Sequence, residues 1–246
     1  MPSTASIPRA AHVEHTDLRA ISFHHVRFIG LELVDVEITG EIEGVTINGV
    51  DIGPLVEAEL DRRTPDRTKM HPRTVEEFQE AWQVLERLWA ETEEQARALP
   101  PEVLHERVRD EWSFIETLRH LGFASAAWVG RMVLDDPAPW HPLDLPWDEA
   151  PGWDGIPWDR TARPSLDEVF AVRRTRQALV RDVITALTPA QLEETVSRTE
   201  PGWPQMEDFP LSQCLFIVVN EEWHHRLYAE RDLDALELKS TTTEAT

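Results

Sequence analysis

The fold is decided most clearly by one stretch, Val218-Val219-Asn220-Glu221-Glu222-Trp223-His224-His225-Arg226-Leu227-Tyr228. Its hydrophobic pattern predicts a helix, on which Glu221 and His225 lie four residues apart and therefore on one face, one turn apart. The same face carries Cys214, Val218, Glu221, His225 and Tyr228. This spacing is typical of a helical stripe that points inward. Because burying a carboxylate and an imidazole without partners is costly, the stripe predicts a partner for both side chains, and a divalent metal ion is our first interpretation.

Length and composition restrict the class of protein. The 246 residues suffice for one large domain or two small ones, and 41% hydrophobic residues with ten Trp exclude a wholly disordered chain. A formal charge of −22 argues against nucleic acid or an anionic membrane as partner. The sequence starts without a signal-peptide pattern and contains no apolar run of about 20 residues. The single cysteine, Cys214, excludes an internal disulfide and a thiolate zinc cage. We expect a cytoplasmic protein that acts on a small molecule.

The N-terminal part has a different pattern. Residues 1–20 predict a flexible arm. A hydrophobic residue then recurs at every fifth position, with a one-residue slip before the last three: Phe23, Phe28, Leu33, Ile38, Ile42, Ile47 and Ile52. This period fits neither a straight strand nor a helix and resembles the pentapeptide-repeat family, whose members form a right-handed β-helix. The alternative is two or three short strands with turns at Thr39-Gly40 and Asn48-Gly49. We therefore expect a short pentapeptide-like β segment over 21–56 and a charged connection over 57–73.

The remainder of the chain is predicted to be helical. Four long amphipathic helices are indicated at 74–99, 111–134, 165–187 and 210–236. Two of them begin with capping boxes, Thr74-Val75-Glu76-Glu77 and Ser165-Leu166-Asp167-Glu168, and another box predicts a short helix over 188–198. The fold class is therefore mainly α, a four-helix bundle over 74–236 with the small N-terminal β segment and a flexible tail at 237–246.

A long loop over 135–164 separates the second and third of these helices and contains seven Pro and four Trp. Loops of this length inside a compact domain are usually functional or disordered, and the aromatic residues argue against disorder. The loop either covers the bundle or forms a lid that excludes water from a site. On the following helix, Arg176 could bind a carboxylate of the substrate or could extend along a solvated face.

A third metal ligand is predicted on the second long helix. His120 lies there on a face of small residues that would let another helix approach closely. Together with Glu221 and His225 it would give three ligands and one open position, which suits Zn²⁺ and also Fe²⁺, Ni²⁺ or Mn²⁺. Glu116 and Asn220 lie where they could orient the imidazoles. Taken alone, His120 could be an ordinary buried histidine. Taken alone, Glu221 and His225 could form an ion pair that contributes only about 0.3–0.5 kcal/mol.

Two motifs carry a resemblance to a known family. Trp112-Ser113-Phe114-Ile115-Glu116-Thr117-Leu118-Arg119-His120-Leu121 and Asn220-Glu221-Glu222-Trp223-His224-His225-Arg226-Leu227-Tyr228-Ala229-Glu230-Arg231-Asp232-Leu233 look like the second-helix and last-helix signatures of the DinB-like superfamily. The resemblance covers about 74–236. It implies a four-helix bundle in which one His of the second helix and a pair four residues apart on the fourth hold a divalent metal.

The resemblance also indicates a branch of the family. Many members carry His-x-x-x-His on the last helix, whereas this chain carries Glu-x-x-x-His, which is similar to the mycothiol-dependent maleylpyruvate isomerase N-terminal domain. Carried over by motif, the ligands are His120, Glu221 and His225, with His224 as the alternative in a different register. Such a protein would use its metal to activate a low-molecular-weight thiol such as mycothiol for transfer to an electrophile, since a coordinated thiol is deprotonated.

Other functions stay open at this point. Cys214 is expected to be a small buried hydrophobe, because it lies about 10 Å along the helix axis from Glu221. A metal-dependent hydrolase that uses bound water is the nearest alternative, and a non-enzymatic binding or structural protein is another. Bundles of this kind often form homodimers.

Overall fold

The computed structural model describes Thr16 and residues 21–40, 42–153, 156–199 and 202–244, without the side chains of 240–244. The chain divides into two compact units, Met1–Gly53 and Pro54–Thr246. Its described part is mainly helical with two small antiparallel sheets, in agreement with the prediction of a mainly α chain. None of the helices in the described ranges is both long and apolar enough to cross a membrane. The arm predicted over 1–20 lies outside these ranges, apart from Thr16.

The first unit contains a hairpin of β1 (Thr46–Ile47) and β2 (Val50–Asp51), joined by the predicted turn at Asn48-Gly49. Residues with a positive φ recur at the same five-residue spacing as the hydrophobic positions, with the same one-residue slip. They are His25, Gly30, Asp35, Gly40, Gly44 and Gly49. Residues 21–40 contain no strand. The alternative of short strands joined by a turn at Thr39-Gly40 is therefore wrong for this segment.

The second unit contains six α-helices in its described part. They are α1 (Gly53–Arg63, which begins at the unit boundary), α2 (Val75–Ala98), α3 (Phe114–Ser125), α4 (Leu166–Ala186), α5 (Pro189–Leu192) and α6 (Leu211–Glu244). A π-helix (Ala126–Val133) continues α3, and two 3₁₀ helices span Pro65–Lys69 and Val103–His105. The four long helices lie where the sequence predicted them. Two differences are that α1 lies in part of the predicted connection and that α6 continues to Glu244, where a tail was expected.

Reciprocal capping boxes begin four of these helices, which satisfies backbone N–H groups that have no partner within the helix. The pairs are Thr74 with Glu77, Ser113 with Glu116, Ser165 with Glu168 and Thr188 with Gln191. The sequence analysis had identified all of them except the pair that begins α3. The Ser113–Glu116 pair gives Glu116 a role in capping α3.

A second hairpin replaces most of the short helix predicted over 188–198. Helix α5 ends at Leu192, and β3 (Thr195–Arg198) pairs antiparallel with β4 (Met206–Pro210). The capping box marks the start of α5 correctly but contains no information on its length. The pairing partner lies about ten residues further along the chain, so a local pattern could not show it.

The long helices pack against one another, with α2 and α3 each in contact with both α4 and α6. Two clusters of buried side chains lie between them. One includes Phe78, Trp82, Leu85, Val218 and Trp223, and the other includes Trp89, Ile115, Leu118, Phe170 and Leu233. Burial of these apolar surfaces, at about 25 cal/mol per Å², is the main term that holds the helices together.

A fully buried ion pair connects α4 to α6. The guanidinium of Arg173 donates two hydrogen bonds to the carboxylate of Glu222, one of them 2.6 Å long, and each side chain is only 1% exposed. Arg173 also lies over the ring of Trp89 on α2, 4.9 Å from its centroid. Removing one partner of such a pair leaves an uncompensated charge in the core, which costs far more than the pair itself contributes.

We therefore expect Arg173→Met and Glu222→Leu each to lower the free energy of unfolding by about 3–5 kcal/mol, and the double variant to lose less than either single variant. Urea denaturation followed by circular dichroism measures all three. Arg62→Ala removes an exposed partner of Glu59 and should leave the free energy of unfolding close to that of wild type, because exposed ion pairs contribute little. Additive losses in the double variant would contradict the account.

Candidate metal centre

Three side chains converge between α3 and α6. The ligand atoms of His120, Glu221 and His225 all lie within 4.8 Å of one another. Oε2 of Glu221 is 3.4 Å from Nε2 of His120 and 3.0 Å from Nε2 of His225. The side chains are 11%, 30% and 19% exposed, so the cluster is partly open to solvent. The structure thus brings together the three residues that the sequence predicted as ligands.

The chemistry of this donor set fits a divalent metal ion. Around a tetrahedral zinc with bonds of about 2.0–2.1 Å, neighbouring ligand atoms lie about 3.3–3.4 Å apart. The two distances from Glu221 Oε2, 3.4 and 3.0 Å, are close to that value. Two imidazole nitrogens and one carboxylate oxygen would also suit iron, nickel or manganese. Three protein ligands leave a coordination position for water or substrate.

The carboxylate of Glu221 is held in its charged form. Burial acts to raise its pKa, but hydrogen bonds and favourable charge interactions with His120 and His225 outweigh burial and hold the pKa well below its ordinary value. A carboxylate must be deprotonated to bind a metal, so the environment of Glu221 favours the form that a ligand needs.

His120 is oriented by the backbone of the loop over 135–164. Its Nδ1 lies 3.0 Å from the carbonyl oxygen of Leu145, and the N–H of Leu145 donates to the carbonyl of Arg119 on α3. When Nδ1 carries the proton and donates it to this carbonyl, the lone pair of Nε2 faces Glu221. The sequence analysis missed Leu145, since a backbone carbonyl has no residue-type signal.

The residues predicted to orient the imidazoles lie elsewhere or have other partners. Glu116 completes the capping box of α3 and pairs with Arg107 at 2.6 Å. Asn220 is half-buried next to Glu221 on α6. The exposed ring of His224 lies 6.4 Å from that of Tyr228, and His224 is not part of the converging cluster. The structure thus places His225, and not His224, next to His120 and Glu221.

Arg176 holds the loop. Its Nη2 donates to the carbonyl of Pro139 at 2.5 Å and lies 3.3 Å from Oδ2 of Asp144. Arg119 on α3 acts in the same way, because it donates to the carbonyls of Leu143, Asp159 and Ala162. The structure therefore places Arg176 against the loop backbone, whereas the sequence left open either a substrate carboxylate or a solvated face.

Two glycines let the loop lie directly on α3 and its π-helical continuation. A Cβ at Gly130 would be 2.7 Å from Cβ of Pro139, a separation that real Cβ atoms essentially never show. A Cβ at Gly122 would be 3.1 Å from Oδ1 of Asp144. The carboxylate of Asp144 is buried, and its other oxygen accepts the N–H of His141. Burial raises the pKa of Asp144 to about 6, despite the nearby charge of Arg176.

Trp112 covers both imidazoles. Its ring centroid is 4.5 Å from that of His120 and 5.9 Å from that of His225, to which it is nearly parallel. Its Nε1 donates to Asp148 in the loop at 3.3 Å. Trp112 is the first residue of the motif quoted for the second helix, but its position over the two imidazoles was not predicted.

Cys214 lies on the inward stripe of α6 but outside the cluster. It is fully buried, and burial raises the pKa of its thiol to about 12. A thiol with this pKa is protonated at neutral pH and is not a nucleophile. The structure agrees with the role of a small buried hydrophobe.

Comparison with known proteins gives one match. A family model described as DinB superfamily matches residues 84–229, more than half of the chain, and this range contains all three residues of the cluster. No curated protein and no solved structure gives a significant match.

His120→Ala or Glu221→Gln should abolish stoichiometric metal binding, since each removes one of three ligands. His224→Ala, one position from the cluster, should leave it unchanged. Elemental analysis of protein purified without chelators, with zinc titration calorimetry, measures both. Full metal content in Glu221→Gln, or loss in His224→Ala, would contradict this geometry.

The pH dependence of stability should report on Asp144. An unfolded Asp releases its proton near pH 4, whereas folded Asp144 keeps it up to about pH 6, so the residue favours folding at low pH and loses that contribution as pH rises from about 4 to about 6. Relative to wild type, Asp144→Asn should gain about 2 kcal/mol between pH 4 and pH 7 in urea denaturation. Parallel pH profiles of the two proteins would count against a raised pKa.

Proposed function

The chain belongs to the DinB superfamily, and we propose that it is a metal-dependent enzyme that activates a low-molecular-weight thiol for transfer to an electrophilic small molecule. The observation that carries the proposal is the convergence of His120, Glu221 and His225 from two helices. In this proposal the four long helices form a DinB-type four-helix bundle, and these three residues are its metal ligands.

A bound divalent metal would supply positive charge that keeps a coordinated thiol deprotonated at neutral pH. The residues of the chain prepare the site for that role. The Leu145 carbonyl fixes the ring of His120, Glu221 is already negative, and Trp112 shields both imidazoles from water. Because Cys214 is the single cysteine and is buried away from the cluster, the thiol must be a second molecule.

The spacing of Glu221 and His225 favours one branch of the superfamily. It is similar to the Glu-x-x-x-His of the mycothiol-dependent maleylpyruvate isomerase type. Mycothiol is therefore the first thiol to test and zinc the first metal, with iron, nickel and manganese next. A cytoplasmic location would supply reduced thiols, and light scattering would show whether the protein is a homodimer.

The test is conjugation of mycothiol to 1-chloro-2,4-dinitrobenzene by the zinc-loaded protein. The thiol sulfur forms a bond to the ring carbon as chloride leaves, and the thiol proton passes to solvent. Mass spectrometry should detect the conjugate, and Glu221→Gln should lower the rate at least about a hundredfold, consistent with the loss of about 3 kcal/mol of transition-state stabilisation.

Other outcomes separate the alternatives. Thiol-independent turnover of p-nitrophenyl acetate by the metal-loaded protein, without conjugation, would replace the proposal by a metal-dependent hydrolase. Stoichiometric metal with neither activity, tested with several thiols, would indicate a binding or structural protein. Protein without metal under all loading conditions would contradict every metal-dependent reading.

A further inference from the structure

A chain of contacting aromatic rings begins next to the candidate metal cluster. The ring of Phe123, which is buried, lies 6.0 Å from that of His120. Phe123 in turn contacts three tryptophans of the loop at 5.7–6.1 Å, and these contact two more. We call this group the aromatic array; it consists of Phe123, Trp140, Trp147, Trp153, Trp158 and Trp203. Trp112, which covers both imidazoles of the cluster, also donates to Asp148, the residue after Trp147.

The tryptophans of the array keep part of their surface open. All five are only half-buried, although each touches other rings. A cluster that served only as packing would bury its rings, as Trp82 and Trp89 are buried between the helices at 2% and 4% exposure. Contiguous apolar surface that stays exposed beside a polar cluster is typical of a ligand site.

The array is held in place by the backbone around it. Arg160 donates to the carbonyl of Trp147 at 2.9 Å, and Arg131 donates to the carbonyl of Pro204, next to Trp203, at 3.3 Å. Arg119 fixes the loop at three further carbonyls. A surface held in this way loses little conformational entropy when a ligand binds.

We propose that the aromatic array is the subsite for a flat aromatic group of the electrophilic substrate. The inference rests on the proposed function only in describing the substrate as electrophilic. The preference for aromatic rings itself does not require the metal. Aromatic rings would stack edge-to-face or offset on the exposed faces of Trp147, Trp153 and Trp158, which a saturated ring of the same size cannot do.

The test compares two probes of similar size, benzamide and cyclohexanecarboxamide, by ligand-observed NMR titration of the full chain with and without zinc. Benzamide should bind about 3–10-fold more tightly than cyclohexanecarboxamide, as expected for aromatic pairing beyond area burial. Equal affinities for the two amides would overturn the inference.

Variants locate the binding. Trp147→Leu, at the centre of the array, should lower benzamide affinity at least about threefold, and Trp147→Phe should retain most of it, since it keeps a ring. Trp128→Leu is the matched control, because Trp128 is also half-buried but contacts Phe209 outside the array. Circular dichroism checks folding. Loss of affinity in Trp147→Phe equal to that in Trp147→Leu, or in the control variant, would contradict the assignment.

The two proposals can fail separately. Metal binding and thiol conjugation without preference between aromatic and saturated probes would remove the inference and leave the proposed function. Aromatic preference that depends on Trp147, in a protein without metal or thiol transfer, would keep the binding site and remove the proposed function.

Discussion

The arrangement of the candidate centre depends on a charged pair that does not belong to it. Arg173 and Glu222 are buried together between α4 and α6, and replacing either one leaves the other as an uncompensated charge in the core. Successive residues of a helix point about 100° apart, so fixing Glu222 towards α4 also fixes the direction of Glu221. That direction leads to α3 and His120. The rotation of α6, and with it the geometry of all three converging side chains, is therefore set one residue away from the site.

The signals that the sequence contained were local ones. Capping boxes and 3.6-residue periodicity act within a few turns, and they located the four long helices closely, including the face of α6 that carries Glu221 and His225. Two local features were missed all the same, helix α1 and the capping box that begins α3. The hairpin of β3 and β4 was missed for a different reason, because it exists only through the pairing of two segments, and that pairing follows directly after α5.

At the candidate site, too, local patterns predicted the converging residues but not their surroundings. Spacing of four residues and a lone imidazole on a small-residue face were enough to select His120, Glu221 and His225. The environment of these side chains was harder to foresee, because Glu116 has nearer partners in Ser113 and Arg107 and because His120 uses a backbone carbonyl. The long Trp-rich loop was the signal that could have led to Leu145, since such loops lie over sites more often than chance. No local pattern indicates that Leu145 is the loop residue that contacts the imidazole of His120.

The manner in which the loop is attached has an evolutionary consequence. Arg119 on α3 and Arg176 on α4 hold it chiefly through carbonyl oxygens, which every amino acid provides. Substitutions in the loop can therefore alter the rings over the centre without releasing this support. The positions that resist change are on the helices, at these two arginines and at Gly130, where any side chain would push the loop away. Such a scaffold can vary the surface of the loop while the His-Glu-His cluster and the fold stay constant.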